Sequence, residues 1–444
     1  MKKSIVNTRI ITMDGKLTEY KNGFLTIEGD RIAGLGEMES FKAEGEIIDG
    51  KNGILMPGMI NTHTHLGMLP FRSLGDDIKD RLRRFLFPLE NQYMNKALAY
   101  WGAKYAVCEM LLGGVTTVLD MYYFEDEVAK AVDSMHIRAI LGETVADLET
   151  CDSREPGGGF AYAEEFINKW KHHPLITPCI APHATNTNGE ESLRRAKKIS
   201  EAYGVPVTMH VAEMDYEMEY FKDTYSMTPV EFLDSIGCLD ESLIAAHCIH
   251  LSKEDIELLS KRNVGVAHCI GSNTKAAKGV ADIKALLDSG IRIGLGTDGA
   301  TSGNTLDILT QFKLFANFHK LKNKDRSIFP AQEIVALGTI RGAEVLKLDK
   351  VTGSLEVGKQ ADLVLLETDS ANMFPVFNPY SVVVYSANSG NVDTVFVAGR
   401  CLVRHKKLVE TELWTVRDSL LGAMKEMLES ELCKSGQLTP APSN

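Results

Sequence analysis

The sequence has no Cys-x-x-Cys pair, although it carries eight cysteines. A zinc ribbon and a disulfide framework both need closer spacing, so the thiols are expected to be reduced core residues. No apolar stretch approaches the roughly 18 uncharged residues of a membrane-crossing helix. Excess positive charge is also missing. Lys plus Arg is 48 against 60 for Asp plus Glu, a formal net charge of −12, which argues against a general nucleic-acid binder. Two lysines follow Met1, but no apolar segment stands behind them. No secretory leader is therefore expected, and a cytoplasmic location is. A hydrophobic fraction of 44% and a charged fraction of 24% are ordinary for a globular chain.

What is present falls into three stretches. Residues 1–57 read as short strands separated by turns such as Asp14-Gly15 and Gly29-Asp30. From 58 to 352, eight short apolar runs alternate with helical or loop segments. The runs are Met59–Thr62, Val115–Asp120, Ile137–Gly142, Ile176–Ala181, Pro206–Val211, Leu243–His247, Val264–His268 and Arg292–Thr297. The clearest helical segments are Asn95–Leu112, Glu125–Met135, Ala161–His172, Glu190–Tyr203, Lys253–Lys261 and Ala281–Asp288. Eight βα units predict a parallel (β/α)8 barrel. Residues 353–444 return to strand character at Ala361–Glu367, Ser381–Tyr385 and Val392–Val397, then show helical spacing over Glu410–Leu432 and a frayed tail from Ser435. The fold class expected is α/β: a barrel with a small β-sandwich domain built from both chain ends, plus a C-terminal helix.

Barrel active sites lie at the C-terminal ends of the strands, and here those ends are rich in histidine. The first run leads into His63-Thr64-His65, the fourth into His183, the fifth ends at His210, the sixth at His247, the seventh at His268, and the eighth is followed by Asp298. Residues two apart on a strand face one side, so His63 and His65 can share a cation. With His210 and Asp298 they make a set of three nitrogens and one oxygen, suited to zinc, with iron or manganese as alternatives. His136, His172, His173, His250, His319 and His405 are expected to be exposed or ordinary structural residues. His268 is left open.

Several strings resemble one family. Met56-Pro57-Gly58-Met59-Ile60-Asn61-Thr62-His63-Thr64-His65 is similar to the first-strand motif of the amidohydrolase superfamily. His210-Val211-Ala212-Glu213, Ala246-His247-Cys248, Ser272-Asn273 and Gly296-Thr297-Asp298-Gly299 look like its later motifs, and Gly358 to Val364 like its return into the β domain. Within it the chain looks closest to the methylthioadenosine and S-adenosylhomocysteine deaminases and the chlorohydrolase-type triazine hydrolases. The resemblance implies one divalent metal on His63, His65, His210 and Asp298. The segment Thr177–His183 has no lysine to bridge a second ion.

The resemblance further implies hydrolytic release of ammonia from an aminated heteroaromatic ring (a purine, pterin or pyrimidine, as base or nucleoside) by a metal-bound hydroxide. Glu213 would protonate the ring nitrogen, Asp298 would relay the water proton, His247 would polarise the water, and His183 would contact the substrate. The alternative is dechlorination or amine displacement on a triazine-like ring, or cyclic amide hydrolysis. The expected partner is a small heterocyclic substrate, with neither nucleic acid nor membrane; homo-oligomerisation is left open. Two departures stand out. The first βα loop, Leu66–Glu90, has no tryptophan, and Glu143 and Thr144 stand where the adenosyl-substrate deaminases tend to carry arginine. The carboxylate of S-adenosylhomocysteine would then lack its cationic partner. That first loop carries Arg72, Asp76, Asp77, Arg81, Arg83 and Arg84, and reads either as a cover over the site or as a solvated charged face.

Overall fold

Turn-punctuated strands at the chain start become β1 (Lys2–Ile11), β2 (Glu19–Glu28), β3 (Arg31–Glu37), β4 (Glu46–Asp49) and β5 (Ile54–Pro57) in the structure, a computed structural model that describes residues 2–437. The eight apolar runs form β6 (Met59–Thr64), β7 (Val115–Tyr122), β8 (Arg138–Val145), β9 (Ile176–Pro182), β10 (Val207–Val211), β11 (Leu243–His247), β12 (Gly265–His268) and β13 (Arg292–Leu295). Near the C-terminus come β14 (Leu363–Leu366), β15 (Val392–Val397), β16 (Arg400–Arg404) and β17 (Lys407–Leu408).

Strands β6 to β13 lie in sequence order, each parallel to the next. The seam between β13 and β6 is closed by side chain and backbone together. Asn61 donates from Nδ2 to Thr297 Oγ1 at 2.7 Å and accepts the Thr297 N–H at 3.1 Å. The Asp298 N–H reaches the His63 carbonyl at 3.0 Å. The barrel floor is dry: Ile60, Leu119, Ile140, Cys179, Ile244 and Ala267 point inward and are plugged by Val345 and Leu346. With that end filled, only the opposite end, where the strands terminate, is free for polar groups.

The other nine strands share one mixed sheet in the order β17-β16-β15-β14-β5-β1-β2-β3, with β4 beside β1. It curls over its own apolar core, formed by residues such as Ile5, Leu25, Ile32, Leu363 and Phe396. The curl brings the β2–β3 turn back to β14, where the Ala361 N–H bonds Asp30 O at 2.8 Å. The sandwich built from both chain ends is thus a single sheet folded on itself.

One segment differs from expectation. Ser381–Tyr385, rich in valine, predicts a strand, but the structure has a helix over Pro379–Tyr385. Asn378 caps it by accepting the Ser381 N–H at 3.0 Å, and Pro379 occupies its first turn. Burial of Val382, Val383 and Val384 on that helix outweighs their β preference. The helical spacing after Glu410 becomes Leu413–Glu429 and Glu431–Gln437. The tail expected to fray lies, from residue 438, outside the described residues.

The two sheets are tied by a buried bidentate pair. Arg138 at the start of β8 bonds Asp362 from Nε at 2.9 Å and from its terminal nitrogen at 3.1 Å. Asp362 Oδ1 also accepts the Ala398 N–H at 2.6 Å. Deleting one partner leaves the other buried and uncompensated, which costs about 3–5 kcal/mol. Arg138→Ala is therefore expected to lower the midpoint of denaturant unfolding markedly, whereas an exposed ion pair such as Lys2–Glu44 should be dispensable. An unchanged midpoint in Arg138→Ala would show that the two sheets do not depend on this pair.

Candidate active site

The ends of β6, β10 and β13 bring His63, His65, His210 and Asp298 together. The imidazoles of His63 and His65 lie 4.8 Å apart by ring centres, and that of His210 lies 4.9 Å from His63. His65 donates from Nδ1 to the Met121 carbonyl at 2.6 Å, and His210 from Nδ1 to the His183 carbonyl at 2.6 Å. A carbonyl can only accept, so both rings carry a proton on Nδ1, which leaves Nε2 as the atom turned toward the cluster. The two Nε2 atoms face each other at 3.4 Å, and Asp298 Oδ1 is 3.2 Å from that of His65. His63 is fully buried, and neither of its ring nitrogens has a hydrogen-bond partner. An orphaned buried imidazole beside two aimed nitrogens and a carboxylate fits a divalent metal ion.

The electrostatics agree. Burial, with His65 and His210 nearby, drives the His63 pKa well below its usual value. Burial and His183 do the same for His210. In His65 burial is outweighed by the hydrogen bond to Asp298, which pushes the pKa up to about 9, so Nε2 holds a proton against Asp298 that a bound cation would replace. Burial would raise the Asp298 pKa, but the His65 hydrogen bond holds it well below the carboxylate range.

A second group meets the first. Glu213, His247 and Asp298 each offer an atom within 4.8 Å of the others. His247 donates from Nδ1 to Asn273 Oδ1 at 2.8 Å, which leaves its Nε2 facing Glu213 Oε1 at 3.5 Å. Glu213 is held from two directions. Its backbone N–H bonds Glu217 Oε2 at 2.8 Å, and Glu217 Oε1 takes the Ala212 N–H at 3.0 Å. Its own Oε1 accepts from Lys278 Nζ at 2.5 Å. Burial would raise the Glu213 pKa, but His247 and Lys278 overcome it, so the group is a carboxylate. Asp298 is braced likewise, by Ser272 Oγ on Oδ2 and the Gly299 N–H on Oδ1, each at 2.6 Å. Ala212, His247, Cys248 and Asp298 all have left-handed backbone, with φ of 50°, 71°, 49° and 59°. Such strain persists only where surrounding bonds over-determine it, and here it lies at the site.

His183 lies beside this group, its ring 5.0 Å from that of His210, with Nδ1 on Thr187 Oγ1 at 3.0 Å. Burial lowers its pKa to about 4, so it is neutral. His268 falls elsewhere. It pairs with His319 at 3.0 Å between Nε2 atoms, packed among Phe315 and Phe329. The first loop lies across the barrel mouth. Arg81 bonds Thr301 O at 2.6 Å, and Asp76 accepts from Asn304 at 2.7 Å and Lys275 at 2.9 Å. Arg83 stacks on the Tyr216 ring at 3.9 Å. Arg81, Asp76 and Asn304 thus clamp the loop to the loop after β13, while Arg83 and Arg84 stay exposed. β8 ends near Glu143, which with Glu125 is fully buried, and burial pushes both carboxyl pKa values well up.

Sequence reasoning gave Ser272 and Asn273 no role beyond their place in a motif, and it missed Glu217 and Lys278. Glu217 could have been noticed, since Glu213 and Glu217 are four apart across a helix start.

An eight-stranded parallel barrel with three histidines and an aspartate at its mouth is a metalloenzyme architecture. Residues 54–402 match the amidohydrolase family, and the chain belongs to that family. It is 34% identical over 410 residues to 5-methylthioadenosine/S-adenosylhomocysteine deaminase 1 of Syntrophus aciditrophicus, covering 91% of this chain and 93% of that one. It is 38% identical over 415 residues to the 5′-deoxyadenosine deaminase of Methanopyrus kandleri, covering 92% and 95%. Among solved structures, an adenosine deaminase from Xanthomonas campestris with bound zinc superposes with a TM-score of 0.93 at 26% identity, covering 96% and 99%. Among the described residues, no helix is long and apolar enough to cross a membrane.

Proposed function

We propose that this chain is a mononuclear zinc-dependent aminohydrolase that deaminates the adenine ring of a 5′-modified or 5′-deoxy nucleoside. The observation that carries the reading is the convergence of Glu213, His247 and Asp298 within 4.8 Å, against the His63-His65-His210 cluster. Relatives at 34% and 38% identity bear adenosyl deaminase names, which supports the substrate class. Ligand duty falls to His63, His65, His210 and Asp298. When bound, zinc supplies Lewis acidity that brings the pKa of water to about 7.

The chain's own residues handle the protons. His247 Nε2, its ring held by Asn273, hydrogen-bonds the attacking water and orients it. Glu213, ionised at rest, takes one water proton and delivers it to the ring nitrogen beside the attacked carbon. Without that proton, attack would disrupt ring conjugation at large cost. Asp298 takes the second water proton and passes it to the departing amine. A C–O bond forms and a C–N bond breaks; the ring nitrogen gains one proton and ammonia the other. His183 contacts the base. The first loop, clamped by Arg81 and Asp76, excludes bulk water.

Glu143 is buried and uncharged, and with Thr144 it offers a carboxylate-bearing substrate tail no cation, so neutral 5′-substituents are preferred. The test is a coupled ammonia assay on the zinc-loaded protein, over adenosine, 5′-deoxyadenosine, methylthioadenosine, S-adenosylhomocysteine, guanine and cytidine, with metal content measured in parallel. Ammonia from neutral 5′-modified adenosines, at one zinc per chain, is expected. A kcat/KM for S-adenosylhomocysteine equal to that for methylthioadenosine would overturn the preference. Ammonia from none of the panel would overturn the function.

A further inference from the structure

Lys278 is a cation set among the acids of the barrel mouth. Its side chain is 15% exposed, and its Nζ sits on Glu213 Oε1 at 2.5 Å. The turn that delivers it is specific. After the helix Ile270–Lys275, Ala277 takes a left-handed φ of 55° and the Lys278 N–H returns to Asn273 O at 2.9 Å. Gly279 follows at φ 124°, where an added Cβ would lie 2.9 Å from Ile249. The backbone therefore turns back toward β11, and the lysine side chain is carried over the end of β10.

That turn ends a segment of seven residues that braces the site three times. Ser272 holds Asp298, Asn273 holds His247, and Lys278 holds Glu213. Each side chain to which a proton-handling role is assigned above is thus fixed by one member of the segment. The Lys278 contact is the one that carries charge. It engages Oε1, the same oxygen that faces His247 Nε2 at 3.5 Å, and leaves Oε2 outside both contacts.

Resting on the deaminase reading of this site, we propose that Lys278 is a positioning residue that anchors the Glu213 carboxylate by Oε1, so that Oε2 carries the proton to the substrate ring. The ammonium keeps its three protons throughout and forms no covalent bond. As Glu213 passes between carboxylate and carboxylic acid, the anchored oxygen stays on Lys278 and the free oxygen does the transfer. An unanchored Glu213 could still swing about its side-chain torsions on the Glu217-clamped backbone, and productive orientations would be rarer. The loss therefore belongs in kcat rather than in substrate binding.

The test uses the zinc-loaded full chain with the best nucleoside from the panel above. Lys278→Met, of similar length but uncharged, is expected to lose roughly 10- to 100-fold in kcat with KM, zinc content and melting temperature nearly unchanged. Lys278→Arg should recover part of the loss. In Lys278→Ala, added ethylammonium should restore rate in a saturable way, which a purely structural role would not allow. Crystal structures of the zinc-loaded wild type and Lys278→Met supply a readout independent of turnover, and the Glu213 carboxylate is expected to move in the variant. Wild-type kcat in Lys278→Met, an unmoved carboxylate, or a rate lost only in step with zinc would each overturn the inference. If the wild type releases no ammonia, the deaminase reading fails separately, and the crystal comparison still decides the anchoring.

Discussion

Asp298→Asn is expected to lower kcat by about 10²–10⁴ when metal content is matched to wild type. The asparagine keeps the shape of the side chain but cannot keep its bonds. Three groups aim at the two oxygens: Ser272 Oγ at Oδ2, and the Gly299 N–H and His65 Nε2 at Oδ1. An amide nitrogen placed at Oδ2 would face the Ser272 hydroxyl, which can rotate; placed at Oδ1 it would face a backbone donor that cannot. The tolerated arrangement therefore keeps the amide oxygen toward Gly299 and loses the acceptor at the other position. What disappears is the negative charge that offsets the cluster and the basic oxygen that takes a proton. On the ligand set proposed above three histidines remain for the metal, so an assay at saturating zinc separates weaker ligation from lost proton transfer. Near-normal turnover in the metal-loaded variant would exclude the relay.

Glu213→Gln is expected to cost a comparable roughly 10²–10⁴ in kcat while leaving KM little changed. Glutamine is isosteric, and its carbonyl can still accept from Lys278 Nζ. Its backbone remains clamped by Glu217. It can offer the ring nitrogen a hydrogen bond but no proton, so binding survives and chemistry does not. A variant with wild-type kcat on an adenine nucleoside would remove Glu213 from the mechanism. A large rise in KM with kcat preserved would make it a binding group only.

The ends of the barrel strands were readable because two periodicities coincide there. Runs such as Leu243–His247 are short and apolar until their last residue, and a polar residue at that point must face the open end of a barrel whose floor is filled. The strand period of two likewise placed His63 and His65 on one side. The clusters that close the site were less readable, since they come from loops meeting in space. Lys278 and Glu213 are 65 positions apart, and only the return turn at Ala277 and Gly279 joins them. His268 looked equivalent to His247 in sequence, yet it packs beneath Phe315 and pairs with His319 instead. Ser381–Tyr385 reads as strand because local preference favours valine there. Asn378 and Pro379 carried the contrary signal in plain sight. The seam between β13 and β6, made by Asn61, has no periodic signature at all.

Turnover of a neutral 5′-modified adenosine in heavy-oxygen water, with the product examined by mass spectrometry, decides whether the protein deaminates the adenine ring. Equimolar ammonia is expected, with a hypoxanthine nucleoside carrying one solvent oxygen on the ring carbon that lost its amine and with the sugar and its 5′-substituent intact. Activity should vanish on chelation and return with zinc. A product cleaved at the glycosidic bond or at the 5′ position, or an adenine ring left unchanged by the zinc-loaded protein, would contradict the deaminase reading.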